Sequence, residues 1–151
     1  MADEARIRGR EDLETYVGRF NAKRYDQQIA YYHPEVLYKV GSIALTSPEA
    51  IKEFYADFHT YSKEYVEIAD FAMTGDKVAV SLPSVFEPFR DYEKNGLSFK
   101  AGEKREIVSF IFYTLKEGKI WRIRVARYPG PPSDFKEFTG HDRPAGFFTG
   151  T

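Results

Sequence analysis

The final third of the chain has the clearest strand pattern. Two runs rich in β-branched and aromatic residues, KREIVSFIFYTLK at 104–116 and KIWRIRVARY at 119–128, flank Glu117-Gly118. Glycine supplies the positive φ of a tight turn, so the pattern predicts a β-hairpin with a two-residue loop. In that register one face collects apolar side chains, which we expect to point inward. The inward residues are Phe110, Phe112, Trp121, Ile123 and Val125, with Arg122 and Arg124 on the opposite face.

Three helices are predicted before this hairpin. Apolar residues spaced as on one helix face, from Leu13 to Phe20, predict a helix from residue 11 to about residue 21. Asp26 is a candidate cap for a short second helix over 27–32. Ser47 and Pro48 mark the start of a third helix, which an apolar stripe extends to about residue 61.

The remaining predicted strands form two further hairpins. Alternating polarity at 36–40 predicts a strand that pairs with 43–45. Strand-like runs also lie on both sides of Gly75-Asp76. With a two-residue loop there, Phe71 faces Val80, and Glu67 shares the inward face with Ser84. Residues 89–103 are polar, with two glycines, and predict a long connection.

The chain divides into three predicted segments. Residues 1–10 are predicted to be a flexible N-terminus, and residues 11–128 a single domain. Residues 129–151 form a tail rich in glycine and proline, which we expect to pack over a pocket mouth or onto a partner subunit because it also carries four phenylalanines. These are Phe135, Phe138, Phe147 and Phe148.

Composition narrows the class of protein. A chain of 151 residues is long enough to bury a core, and its 17% aromatic content favours a bulky core or a cavity lined with flat side chains. The net charge of -1 gives no nucleic-acid footprint, and no apolar run approaches the ~18 residues of a membrane span. Because the N-terminus is charged and lacks an apolar signal segment, we expect a cytoplasmic protein.

The residue types also narrow the chemistry. The chain has no cysteine, which excludes disulfides and thiolate catalysis. Its His, Asp and Glu residues lack metal-ligand spacing, so we expect no metal. No glycine-rich phosphate loop follows a predicted strand, so we expect no nucleotide.

The order of elements and four short motifs resemble the SnoaL-like branch of the NTF2-like superfamily. The motifs are YYHPEV at 31–36, SPEAI at 47–51, GDKVAV at 75–80 and EGKI at 117–120. The resemblance covers residues 11–128. It implies an α+β cone, in which a curved, mostly antiparallel sheet wraps around three N-terminal helices. It also implies a homodimer, a pocket inside the cone and no obligatory cofactor.

Members of this superfamily include polyketide cyclases, scytalone dehydratase and ketosteroid isomerase, so the resemblance leaves two function classes open. The first is a cofactor-independent isomerase, cyclase or dehydratase that acts on a hydrophobic aromatic or polycyclic metabolite in secondary metabolism. The second is a non-catalytic ligand-binding or dimerisation module. Val125 and the pair Phe20-Asn21 stand where catalytic relatives carry acids, which favours the second class.

Inward polar positions supply the candidate catalytic residues. Glu67 is the candidate acid or base, because burial in an apolar wall raises the pKa of a carboxyl group. Arg127 and Tyr38 are candidates for acid–base and oxyanion roles. Side chains expected to bind substrate are Asn21, Phe54, Phe58, His59, Ser84, Phe86, Phe110, Phe112, Trp121 and Val125.

The opposite face of the last hairpin suggests an assembly. In the predicted register it carries four large apolar or aromatic residues among the arginines, more than a monomer usually exposes in one patch. They are Ile107, Ile111, Tyr113 and Tyr128. We therefore expect a two-fold homodimer through that face, with a small hydrophobic molecule inside the cone and neither nucleic acid nor membrane as a partner.

Overall fold

Three α-helices and nine strands make up the described part of the chain, residues 5–135 of a computed structural model. The helices are α1 (Arg10–Asn21), α2 (Tyr25–Ile29) and α3 (Pro48–Phe58). The strands are β1 (Tyr32–Val40), β2 (Ile43–Leu45), β3 (Ser62–Val66), β4 (Asp70–Thr74), β5 (Lys77–Pro88), β6 (Tyr92–Lys94), β7 (Leu97–Phe99), β8 (Arg105–Lys116) and β9 (Lys119–Arg127). A 3-10 turn, Pro132–Phe135, follows β9.

Seven of these strands form one curled sheet around the helices. The order is β2-β1-β9-β8-β5-β3, and β4 pairs with the same edge of β5 as β3 does. All pairings are antiparallel except that of β1 with β9. The predicted α+β cone, with a mostly antiparallel sheet, is therefore confirmed.

Helix α3 begins where the sequence predicts and ends earlier. The hydroxyl of Ser47 accepts a hydrogen bond from the Ala50 N–H at 3.1 Å, and Pro48 occupies the first helical turn. The helix ends at Phe58, three residues before the predicted end. Helix α2 differs more, because Asp26 lies inside it and pairs with Lys52 at 2.6 Å instead of capping it.

The N-terminal segment packs against the sheet. Ile7 is only 2% exposed and belongs to the core, and its backbone N–H donates to the Gly118 carbonyl at 2.9 Å. Lys119 Nζ reaches the Ala5 carbonyl at 2.6 Å. Residues 5–10 therefore differ from the flexible N-terminus that the sequence predicts.

The last hairpin has the predicted turn but not the predicted register. Glu117 and Gly118 both have positive φ, and Leu115 faces Ile120 as expected. A bulge at Trp121 then adds one residue to β9, so that Ile111, not Phe110, faces Val125. Since side chains alternate between faces, one extra residue exchanges the two faces. The inward placement of Phe110 and Phe112 was therefore wrong: they lie on the outer face, 42% and 38% exposed.

A second register shift lies between β3 and β4. Strand β4 pairs with β5 as predicted, with Phe71 opposite Val80. Strand β3 pairs one residue out of step, so that Val66, not Glu67, lies opposite Ser84. The prediction that Glu67 points into the cone was therefore wrong, because this shift gives its position to Val66.

Residues 89–103, predicted as a connection, contain the small hairpin β6–β7. Tyr92 is 1% exposed and its ring packs edge-on against Phe58, with centroids 5.2 Å apart. Lys94 forms an ion pair with Asp57 at 2.8 Å. These contacts hold the hairpin, which we call the flap, against the end of α3.

The first residues of the tail reach the outer face of the sheet. The ring of Phe135 lies 5.0 Å from that of Tyr128 and 6.2 Å from that of Phe110. The predicted packing of Phe138, Phe147 and Phe148 falls outside the described residues. Within residues 5–135, no helix is both long and apolar enough to cross a membrane.

Candidate active site

The cone encloses a cavity of about 310 Å³ between the helices and the inner face of the sheet. This volume lies at the lower end of the range for small-molecule sites. Its deep end is formed by buried residues that include Tyr16, Gln28 and Tyr113. Its mouth is formed by the exposed Arg127 and by residues of the flap. Apolar side chains line most of the wall between them: Val17, Phe20, Phe54, Phe58, Val66, Leu82, Phe86, Ile107, Ile111 and Ile123.

Glu64 is the carboxylate of this cavity. It lies on β3 opposite Phe86 and is 9% exposed. Its Oε1 is 2.9 Å from Nε2 of His59, and His59 is the first residue after α3. Its Oε2 has no hydrogen bond to any residue in the described range. One carboxylate oxygen is thus held by the protein, and the other is available to a ligand.

His59 joins Glu64 to Tyr25. The phenol oxygen of Tyr25 lies 2.6 Å from His59 Nδ1. Burial and the charge of Glu64 raise the pKa of Tyr25 to about 12, so its phenol keeps its proton and can donate it to Nδ1. In the tautomer that accepts from Tyr25 at Nδ1, the imidazole carries its proton on Nε2 and donates it to Glu64. This chain orients the carboxylate as a hydrogen-bond acceptor.

Two phenols on the cavity wall form a pair. Tyr38 on β1 and Tyr55 on α3 have hydroxyl oxygens 2.8 Å apart, and both line the cavity. Burial raises the pKa of both groups, and the nearby Glu64 charge raises it further, so both stay protonated. The pair has two hydroxyl hydrogens and uses one internally, so the other has no acceptor among the described residues.

A second phenol pair lies at the deep end. The hydroxyl oxygens of Tyr16 and Tyr32 are 2.6 Å apart, and the Gln28 amide nitrogen donates to Tyr32 at 2.9 Å. Burial raises the pKa of Tyr16 to about 12. Tyr16 and Gln28 line the cavity, so both present polar atoms to a bound molecule.

Two arginines line the cavity, and only one of them forms an ion pair with a carboxylate of the described residues. Arg105 is bound to the Glu103 carboxylate, which neutralises it. Arg127 lies opposite Ser109 across β8 and β9, and its guanidinium has no hydrogen bond or ion pair with another residue of the described chain. Arg127 is therefore the cation at the mouth that an anionic ligand group can reach.

The structure separates the residues that the sequence nominates into two groups. Seven line the cavity: Tyr38, Phe54, Phe58, Ser84, Phe86, Val125 and Arg127. Six do not: Asn21, Glu67, His59, Phe110, Phe112 and Trp121. His59 acts behind the wall through Glu64. The two register shifts displace Glu67, Phe110, Phe112 and Trp121.

Asn21 does not line the cavity for a different reason, which is that its side chain is held by the backbone of β3. Its amide nitrogen donates to the Val66 carbonyl at 2.7 Å, and its amide oxygen accepts from the Val66 N–H at 2.9 Å. Both amide groups are therefore engaged in joining α1 to β3. The predicted role of Asn21 in substrate binding is replaced by a structural one.

Several site residues were not nominated from the sequence. Tyr16 and Tyr55 belong to the apolar stripes that predict α1 and α3, and a phenol on such a stripe places a polar group toward the interior. Gln28 lies on α2, whose predicted bounds were displaced. Glu64 precedes the β3–β4 shift and carries no local signal that distinguishes it from Glu67.

The fold and its mainly apolar cavity are those of an NTF2-like cone protein. Residues 13–123 match the SnoaL-like domain, and the chain belongs to this family. The family assignment agrees with the resemblance seen in the sequence. No curated protein matches the chain.

Three solved structures illustrate the shared fold. TsrD from Streptomyces laurentii has a TM-score of 0.65 at 11% identity, over 76% of this chain and 84% of that one. An LEH-like epoxide hydrolase of M. tuberculosis has a TM-score of 0.62 at 12% identity, over 84% of this chain and 82% of that one. A protein with a ketosteroid isomerase-like fold from Catenulispora acidiphila has a TM-score of 0.62 at 9% identity, over 76% of this chain and 82% of that one. Identities this low establish the fold and not the reaction.

Proposed function

We propose that this protein is a cofactor-independent enzyme that moves a proton on a small hydrophobic carbonyl compound, as an isomerase, cyclase or dehydratase. The observation that carries the proposal is the convergence of two groups on one apolar cavity. These are the carboxylate of Glu64 and the unpaired hydroxyl hydrogen of the Tyr38–Tyr55 pair. A base and an oxyanion donor are the two groups that enolisation requires.

The chemistry begins with proton abstraction. Glu64 Oε2 takes a proton from the carbon next to the carbonyl group, and the C–H electron pair becomes a C=C bond. The carbonyl π electrons move to oxygen, where the phenol pair donates its hydrogen bond to the developing negative charge. The protonated Glu64 then returns the proton to a different carbon in an isomerase. In a dehydratase the enolate re-forms the carbonyl, its C=C electron pair forms a new double bond to the next carbon, and the hydroxyl group on that carbon takes the proton from Glu64 and leaves as water. In a cyclase the enolate carbon attacks a second carbonyl, and the alkoxide that forms takes the proton from Glu64.

The wall of the cavity supports an aromatic or polycyclic substrate. Phe54, Phe58 and Phe86 offer flat apolar surfaces, and Arg127 offers a positive charge at the mouth. A metabolite with a fused ring system inside and an anionic substituent toward solvent matches this distribution. Such compounds are typical of secondary metabolism.

A ligand-binding module without catalysis is the second candidate. The observation that favours it is the absence of an acid at Val125 and at Phe20-Asn21, together with the engagement of Asn21 by the Val66 backbone. Under this alternative Glu64 orients a ligand but transfers no proton.

Deuterium exchange into a model ketone distinguishes the two candidates. We expect the protein to accelerate incorporation of deuterium from D2O next to the carbonyl of 2-tetralone, followed by proton NMR, because that bicyclic ketone matches the cavity in size and polarity. The same measurement on 1-indanone tests a smaller ring. Exchange no faster than in buffer for both ketones, with binding of either one detected, would favour the binding module.

We also propose a homodimer that forms through the outer face of the sheet. The residues predicted for this contact were partly wrong, because Ile107 and Tyr113 line the cavity, whereas Ile111 borders both the cavity and the outer groove. The register shift puts a different apolar set on that face, in a shallow groove across β4, β5, β8 and β9. Its members include Ala72, Ala79, Phe110, Phe112 and Ala126.

Replacing Phe110 and Phe112 together by serine should convert a dimer to a monomer, because the change removes the two large exposed rings of the groove. Light scattering coupled to gel filtration measures the mass. Phe89→Ser is the matched control, since Phe89 is 53% exposed outside this groove. A wild-type mass of one chain at every concentration would contradict the dimer.

A further inference from the structure

The Gln28 side chain contains an unpaired acceptor in the cavity wall. Gln28 is 1% exposed, and its amide nitrogen donates to the Tyr32 hydroxyl at 2.9 Å. Its amide oxygen is buried and has no hydrogen-bond partner. The amide nitrogen is the group that reaches Tyr32, so the amide oxygen is the group left unpaired. A buried acceptor without a partner is costly, so its presence in a cavity wall points to a ligand.

Tyr16 supplies a donor beside this acceptor. The Tyr32 oxygen accepts from Gln28. Tyr32 does not line the cavity, so the arrangement that pairs its buried hydrogen is donation to the Tyr16 oxygen 2.6 Å away. The Tyr16 hydroxyl hydrogen remains, and Tyr16 lines the cavity whereas Tyr32 does not. Both hydrogen bonds end on Tyr32, and Tyr16 and Gln28 both line the same cavity. A chain of donors ordered in this way polarises its terminal hydrogen and strengthens it as a donor.

We propose that Gln28 and Tyr16 form a subsite for a neutral hydroxyl group of the ligand. The hydroxyl donates its hydrogen to Gln28 Oε1 and accepts the hydrogen of Tyr16. As a statement about the substrate, this assignment rests on the proposed function, because it takes this cavity to be the binding site. It does not require that Glu64 transfer a proton.

Other polar groups satisfy only half of the subsite. A ketone or carboxylate oxygen accepts from Tyr16 but places lone pairs against the Gln28 oxygen. An ammonium group donates to Gln28 but cannot accept from Tyr16. A hydroxyl group does both. The ligand class is therefore a hydrophobic phenol or alicyclic alcohol that enters with its hydroxyl group toward the deep end.

Paired probes of nearly equal shape test the subsite. 2-Naphthol and 2-methylnaphthalene differ by a hydroxyl against a methyl group, and their dissociation constants at pH 7 give a preference ratio for each protein variant. We expect Tyr16→Phe and Gln28→Leu each to shift this ratio about tenfold toward 2-methylnaphthalene, the size of one lost buried hydrogen bond. An unchanged ratio in both variants would show that water satisfies the amide oxygen and would overturn the subsite.

Two further measurements keep the result decisive. In the wild-type protein, the side-chain amide resonances of Gln28 should shift with 2-naphthol and not with 2-methylnaphthalene. This measurement does not need the Gln28→Leu variant, so it tests the subsite even if that variant fails to fold. Failure of 2-naphthol to bind the wild-type protein would overturn the proposal. The Glu64→Gln variant separates the hydroxyl subsite from the proposed reaction. It should keep the preference for 2-naphthol over 2-methylnaphthalene while it loses deuterium exchange into 2-tetralone. Loss of exchange activity in the wild type with an intact ratio would reject the reaction and retain the subsite.

Discussion

Replacing Glu64 by glutamine should lower the rate of proton exchange about 10²–10⁴-fold, the usual contribution of a general base. Glutamine keeps the shape of the side chain and an oxygen that can accept from His59, but it cannot take a proton. Ligand affinity should change much less, because the apolar wall is untouched. The measurement is the exchange rate of 2-tetralone in D2O, with binding of the same ketone followed separately.

Glu67→Gln is the matched control for this prediction. The substitution is chemically identical and lies three residues further along the chain, but Glu67 does not line the cavity. We expect its exchange rate to stay within a factor of about two of the wild-type rate, as surface substitutions usually change little. Equal loss in both variants would point to a general effect of charge, and no loss in Glu64→Gln would remove the proposed base.

Alkaline pH should unfold the protein cooperatively, because five phenols in the core and the cavity wall resist ionisation. Burial is the main cause that raises the pKa of each of them above the ordinary value. They are Tyr16, Tyr32, Tyr38, Tyr55 and Tyr113. For Tyr16 the folded pKa of about 12 lies two units above the unfolded value. Its contribution to the free energy of unfolding is present below pH 10, and about 3 kcal/mol is lost as the pH rises to 12.

Absorbance at 295 nm measures this transition, since it reports ionised phenols. We expect a steep step in which the phenols shielded by the fold ionise together with loss of the fold. Tyr16→Phe should reduce the amplitude of this step by one phenol. A single gradual titration of all 11 tyrosines with the fold retained would contradict the prediction.

The sequence predicted the fold well because helix periodicity, a helix cap and turn chemistry are local signals. The Ser47 cap and the Glu117-Gly118 turn both lie where these signals place them. It predicted the site poorly because the direction of a side chain on a strand depends on counting residues from a turn. Each bulge changes that count by one, and neither Trp121 nor the segment after Val66 carries a glycine that would mark it.

The polar contacts of the site were harder still to predict. The Tyr38–Tyr55 pair joins β1 to α3, and the Glu64–His59 pair depends on how α3 leads into β3. Such contacts arise from the packing of elements, not from spacing along the chain. A phenol on an apolar helix stripe was the available clue, because the hydroxyl group of a buried tyrosine usually needs a partner.

The bulge at Trp121 has an evolutionary consequence. Beyond it, Ile123 and Arg127 line the cavity and Arg124 and Ala126 line the outer groove, whereas Val125 borders both. Deletion of one residue there would exchange these two sets in a single event, giving the arginine of the groove to the cavity. A short insertion or deletion in this hairpin would therefore change the side chains of the cavity and those of the outer groove together, whereas point substitutions alter them one at a time.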